Sequence, residues 1–287
     1  MGLDINAARF LLAEKARGVD FGNILTLGRQ GIYMDRESYA SFLHHFGTTA
    51  QTDGYADDFF LGLGANKMTA IDASGYEKAD IIHDINQPVS PDLHSSFDTV
   101  IDGGTLEHVF NFPAAIANCM RMVKPGGQLI LLTPWHNFAG HGFYQFTPEL
   151  FYSTLSAENG YQIERMLIVA EDSWFSVKDP REIRQRVEIR TNDEILLHIT
   201  ARRISDTGIF SNWPQQSDYS TAWQNGSYGD GDKEPESTLK ERVTRAIPPI
   251  RMLQTKWRNL KSQRALSPYR NSGLTRLCPS DQLPAQH

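Results

Sequence analysis

The sequence predicts a doubly wound α/β domain: a mostly parallel sheet with helices on both faces, closed at its end by a C-terminal antiparallel hairpin. Three observations predict it. Short apolar runs alternate with helix-spaced stretches from residue 23 to residue 170. Phe97 to Val109, FDTVIDGGTLEHV, reads as a buried strand that leads into a loop and then a helix. Finally, residues 183–190 and 195–203 flank Thr191-Asn192-Asp193-Glu194, the pattern of a hairpin.

Each element has its own signal. Residues 4–17 predict a helix capped by Asp4, with Ile5, Ala8, Leu11 and Leu12 on one face and Gly18 as the stop. Asn23–Leu27 is a short apolar strand closed by Gly28. Helices follow over 35–46 and 54–63, the first with Tyr39, Phe42, Leu43 and Phe46 at helical spacing. Strands are expected at 68–72, 80–83 and 97–101, and then a helix over 113–123 that starts at Pro113. Lys124-Pro125-Gly126-Gly127 is a turn, since proline presets φ and glycine supplies a positive one. A strand at 128–133, a helix over 148–158 headed by Thr147, and a strand at 163–170 complete the alternation.

Composition bounds the function. The chain has 287 residues, 40% hydrophobic and 22% charged, with a formal net charge of −6. That argues against nucleic acid as a partner and for a soluble core of ordinary size. No long apolar run predicts a transmembrane segment, and two cysteines, Cys119 and Cys278, fit a reducing, cytoplasmic setting. Four regions are expected: an N-terminal helix at 1–21, the α/β domain at 22–203, a polar linker at 204–238 and a basic extension at 239–287. In that extension Ile250, Leu253, Trp257 and Leu260 recur on one face among lysines and arginines. Residues 249–266 therefore dock on the protein's own acidic body or form a solvated tail, the alternative being that they bind a partner or lie on an anionic membrane.

FDTVIDGGTLEHV, a helix, VKPGG and the strand QLILLT together resemble the second half of a class I S-adenosylmethionine-dependent methyltransferase domain, as does the Phe146-Thr147-Pro148-Glu149-Leu150 stretch. The resemblance implies a Rossmann-like sheet, S-adenosylmethionine as cofactor, and methyl transfer to a small-molecule or glycan-type acceptor. It also implies an acid-x-Gly-x-Gly-x-Gly loop after the first strand. Here that loop is Thr26-Leu27-Gly28-Arg29-Gln30-Gly31-Ile32: Gly28 matches, but Thr26 replaces the acid, and Gln30 and Ile32 replace glycines.

The cofactor contacts implied are Thr26, Gly28, Asp72, Asp84, Asp102 and Gly103. Asp72 would meet the ribose hydroxyls and Asp84 the adenine side, the alternative being that both are solvated loop acids. Asp72 lies further after Thr26 than the family spacing, so residues 47–66 are an insertion, either a lid or a packing helix. Leu106, Glu107 and His108 stand behind Gly103 and Gly104, with His108 architectural. The rim segment 133–146 carries His141 as first candidate for a base, then His136, with Tyr144 and Gln145 as orienting groups; a packed loop is the alternative. His136 and His141, five apart on one loop, are weak evidence for a metal, and no metal is assigned. The broken glycine loop keeps a second reading open, a non-catalytic methyltransferase-like binding or scaffold module.

Overall fold

The computed structural model describes residues 2–47, 53–170, 173–220, 261 and 266–277. In chain order the elements are β1 (Gly2–Leu3), α1 (Ile5–Ala16), β2 (Asn23–Leu27), β3 (Gly31–Ile32), α2 (Arg36–His45), α3 (Asp57–Gly62), β4 (Lys67–Asp72), β5 (Ile81–Ile82), β6 (Phe97–Asp102), α4 (Phe112–Met122), β7 (Val123–His136), α5 (Pro148–Thr154), β8 (Tyr161–Ala170), β9 (Ser173–Val177), α6 (Pro180–Ile183), β10 (Ile195–Arg203) and β11 (Leu274–Arg276).

Nine strands form one sheet in the order β11-β9-β8-β10-β7-β6-β2-β4-β5. β7, β6, β2, β4 and β5 run parallel, while β10, β8, β9 and β11 pair antiparallel. This mixed α/β sheet has the form expected of the class I methyltransferase fold. The chain runs outward from β2 to β4 and β5, then returns to the other side of β2 as β6. The order therefore reverses between β2 and β6, and a crevice beyond their carboxyl ends is where such sheets bind ligands.

Alternating side chains feed two cores. Leu25, Leu27, Val100, Leu129 and Leu131 face one with α4 and α5, while Ile24, Ile101, Ile130 and Leu132 face the other with α1, α2 and α3. The second core holds α1 firmly. Asp4 caps it by accepting from the Ala7 N–H at 2.7 Å, Phe10 and Leu11 are wholly buried, and Glu14 receives a 2.9 Å bond from Arg165 on β8. Among the described residues no helix is long and apolar enough to cross a membrane.

Several expectations are corrected. The hairpin over 183–190 and 195–203 does not form: β10 is flanked by β7 and β8, so both its edges are taken. Residues 180–183 make the short helix α6 instead, and Arg184 then turns left-handed at φ 52°. The 148–158 helix stops at Thr154, whose carbonyl accepts from the Asn159 side chain at 3.0 Å. VKPGG is a bulge inside a strand: Val123 opposes Phe97, Gln128 opposes Thr99, and Gly126 turns at φ 83°. The 47–66 insertion supplies α3, which buries Phe59 and Phe60 and sets Phe59 edge-on against Phe42 and Phe46, so its helix packs. The 249–266 segment, apart from Lys261 and Leu266, lies outside the described residues.

Asn118 on α4 fixes the loop after β5. Its side chain accepts from the Val89 N–H at 3.1 Å and donates to the carbonyls of Ile85 and Gln87 at 3.1 and 2.7 Å, all from a position 1% exposed. Removing it leaves three backbone groups without their partner. Asn118→Ala should therefore cost about 3 kcal/mol, read as a lowered urea midpoint, against less than about 1 kcal/mol for an ordinary surface substitution.

Candidate active site

Three groups of residues meet beyond the carboxyl ends of the parallel strands. The first is the edge of β2, β4 and β5. Leu27 pairs with Ile71 and Asp72 with Ile82, and the Gly28 N–H extends the ladder to the Ile71 carbonyl at 2.8 Å. Gly28 then turns at φ 67°, a conformation cheap only for glycine. Asp72 is half-buried, and its Oδ1 accepts from the Ser74 N–H at 2.8 Å. Asp84 is exposed, and bonds from the Asn86 backbone and side chain hold its carboxyl below the usual range, so it is ionised at neutral pH. Gly28, Asp72 and Asp84 thus line one open edge.

The second group sits at the point where the strand order reverses. Gln30 is 4% exposed, and its amide donates to the carbonyls of Leu27 and Gly28 at 2.9 and 3.1 Å. Its Oε1 lies over Gly103, where a Cβ would collide with it. The Thr105 hydroxyl ties the same Leu27 carbonyl at 2.8 Å. β1 runs beside it, paired with β3, and the Gly2 N–H donates to the Gly103 carbonyl at 3.2 Å. Arg29 turns away toward the insertion, paired with Asp57 at 2.6 Å and stacked over Tyr55. A residue that replaces a family glycine therefore fills the space which that glycine would leave.

Two expected cofactor contacts are moved out of reach. Thr26 is 1% exposed, paired on both sides within the sheet. Asp102 is wholly buried, and its Oδ1 accepts from the N–H groups of Thr105 and Leu106 at 2.7 and 3.4 Å. It builds the turn after β6. Its Oδ2 has no partner.

The third group lines a cavity of about 340 Å³ over β6, β7 and the start of β10. Gly103, Gly104, Glu107 and His141 lie on one side, with Asp4 and Tyr33 from the N-terminal segment and Glu194 and His198 from β10's end on the others. The Phe143 and Tyr144 N–H groups donate to the Glu107 carbonyl at 2.7 and 3.2 Å, and Phe138 N–H donates to Gln145 Oε1 at 3.0 Å. The rim loop is thereby pinned over the turn after β6. His141 Nε2 comes within 3.6 Å of Glu107 Oε1. His198, fully buried against Phe10 and Trp174, is pushed down to about 3 by burial and so stays neutral.

The structure separates the remaining candidates. His136 ends β7, opposite Ile195, and does not line the cavity. Tyr144 donates its hydroxyl to the Phe110 carbonyl at 2.7 Å and stacks near Phe146, so it is committed to packing. Sequence reasoning passed over Gln30, Glu107 and Glu194. The first was visible as a departure from the glycine pattern; the other two needed the meeting of separate loops.

The model of the methyltransferase domain family matches residues 61–131, about a quarter of the chain, which takes in the FDTVIDGGTLEHV and VKPGG stretches. The resemblance read from those residues is borne out: residues 61–131 are similar to the methyltransferase domain. No curated protein matches it. Among solved structures it is similar to 1,6-didemethyltoxoflavin-N1-methyltransferase of Burkholderia thailandensis, at 15% identity over 70% of this chain and 80% of that one, TM-score 0.37. It is also similar to a 16S rRNA (adenine(1408)-N(1))-methyltransferase variant of Catenulisporales acidiphilia, at 14% identity over 72% and 94%, TM-score 0.36. TehB of Haemophilus influenzae matches at 14% identity over 67% and 61%, TM-score 0.38. At this level of likeness no chemistry transfers, and the fold rests on the chain's own strand order.

The buried carboxyls give a pH dependence. Burial, then the Glu107 charge, pushes Asp102 up to about 8, and burial pushes Glu107 up to about 7. The folded protein then keeps a proton that an unfolded aspartate loses near pH 4. Stability is full below that pH and declines as pH rises toward 8, by up to about 1.4 kcal/mol per unit. Urea midpoints measured from pH 5 to 8 should fall for the wild type and fall less for Asp102→Asn. Equal slopes would mean that Asp102 is ionised in the folded state.

Proposed function

We propose that the chain is an S-adenosylmethionine-dependent methyltransferase acting on a small-molecule acceptor. One observation carries this reading: an open edge with Gly28, Asp72 and Asp84 adjoins, across Gly103, an open-mouthed cavity of a size suited to a small ligand. Asp72 Oδ2 suits a ribose diol, and the ionised Asp84 suits the exocyclic amine of adenine. The adenosine half of the cofactor therefore fits the residues present. Its methionine half meets the Gln30 side chain over Gly103, so binding requires that side chain to turn out.

Bound S-adenosylmethionine supplies an electrophilic methyl group on a sulfonium. The chain's part is to align the acceptor with it, exclude water and, for a hydroxyl or protonated amine, take the proton. His141, half-exposed at the cavity mouth and oriented by Glu107, is the group suited to that last task. Leu132, Pro134 and Phe138 give the cavity apolar walls, and Asp4 and Glu194 give it acceptors for a polar or cationic group.

Gln30 also favours a second reading, a methyltransferase-like binding module in which the amide permanently occupies the crevice. Calorimetry with S-adenosylmethionine separates the two. The enzyme reading expects binding that Asp72→Ala weakens at least about tenfold, that Gln30→Gly tightens, and that His141→Ala leaves unchanged. No heat from either the wild type or Gln30→Gly at millimolar cofactor would refute it and leave the binding module.

A further inference from the structure

We propose that Glu107, His108 and His141 form a binding site for one divalent transition-metal ion at the mouth of the cavity. One donor atom from each residue lies within 4.8 Å of the other two. The closest pair, His141 Nε2 and Glu107 Oε1, is already at 3.6 Å. Metal–ligand bonds of about 2.0–2.2 Å put neighbouring donors roughly 3.0–3.5 Å apart. Small rotations of the two exposed imidazoles close that difference, while the buried carboxylate stays in place.

The backbone holds these donors together independently of their side chains. Glu107 and His108 belong to the short 3-10 turn at Leu106–His108, after β6, and His141 to the loop after β7. The Glu107 carbonyl accepts from both Phe143 and Tyr144, and Gly142, at φ 72°, packs against the same carbonyl where a Cβ would come within 2.8 Å. His141 is consequently delivered to the Glu107 carboxylate by a turn that only glycine makes without strain. The His108 and His141 rings stand edge to face at 4.9 Å, above a carboxylate that is 1% exposed.

The donor set selects the ion. Two imidazoles and one carboxylate suit zinc, iron(II) or cobalt(II), whereas magnesium and calcium prefer all-oxygen shells. A carboxylate removed from water calls for a cation, and the Thr133 hydroxyl, 3.5 Å from Glu107 Oε2, orients its second oxygen. Three protein ligands leave coordination positions open, and Glu107 and His141 both line the cavity, so a small ligand there can complete the shell. Spacing along the chain gave no hint of this site because its ligands come from two loops.

The site does not depend on cofactor binding, and an ion held by His141 would take the place of that side chain's role as a base, so the test uses the full chain without S-adenosylmethionine. After chelator treatment and dialysis, the protein is titrated with cobalt(II) while its visible absorption is followed, and zinc is then added in competition. The expected result is one cobalt(II) per chain with ligand-field bands that zinc abolishes. His108→Ala and His141→Ala, both exposed and checked for folding by circular dichroism, should each weaken binding at least about tenfold. His136→Ala, on the same rim but outside the cavity, should bind as the wild type does. Absence of cobalt bands, or His141→Ala binding like His136→Ala, would overturn the site and leave a plain Glu–His contact.

Discussion

The Asp102 carboxyl group is the constraint on which the ligand edge depends. It is wholly buried at the end of β6 and accepts from the N–H groups of Thr105 and Leu106. That pair of bonds turns the chain sharply, so that the Thr105 hydroxyl reaches the Leu27 carbonyl on β2 and Glu107 lies under the rim loop. Burial outweighs the bonds from backbone N–H groups, so the carboxyl group keeps its proton at neutral pH while Oδ1 still accepts from both. One acid thereby joins the two strands between which the sheet order reverses to the loop that carries His141.

From this turn the two halves of the edge diverge. Toward β4 and β5 the loops stay open, and among the described residues the Asp72 and Asp84 carboxylates are engaged by their own serine and asparagine turns. Toward β6 the crevice is narrowed by Gln30, whose amide satisfies two carbonyls of the glycine loop. A glutamine at this point stabilises the loop from within, which a glycine could not do, and it does so in the volume over Gly103 that the proposed function assigns to the cofactor's methionine arm. The same substitution thus strengthens the fold and sets a condition on binding.

Much of the sheet was legible in the sequence because its parallel strands are short apolar runs bounded by glycine or acids. Asn23–Leu27 and Phe97–Ile101 are read nearly to the residue. What failed was local competition. Residues 183–190 have strand-like composition, yet β8 and β7 already occupy both edges of β10. Positions along the chain were legible: Gly28, Asp72 and Asp84 stand at the strand ends, on the open edge, where the sequence puts them. Packing decides other positions: Thr26, which stands where the resembled family has an acid, and Asp102 are buried, and Tyr144 spends its hydroxyl on a carbonyl. Glu107, part of a recognised string, gained its meaning only from His141 arriving above it.

The central claim is that the carboxyl edge of β2 and β4 holds adenosine while Gln30 governs the adjoining crevice. A crystal structure with S-adenosylhomocysteine tests it most directly. The ribose hydroxyls should lie on the Asp72 carboxylate, with the Gln30 side chain displaced from Gly103. A nucleoside bound away from Asp72, or Gln30 still over Gly103 with the whole ligand in place elsewhere, would contradict it.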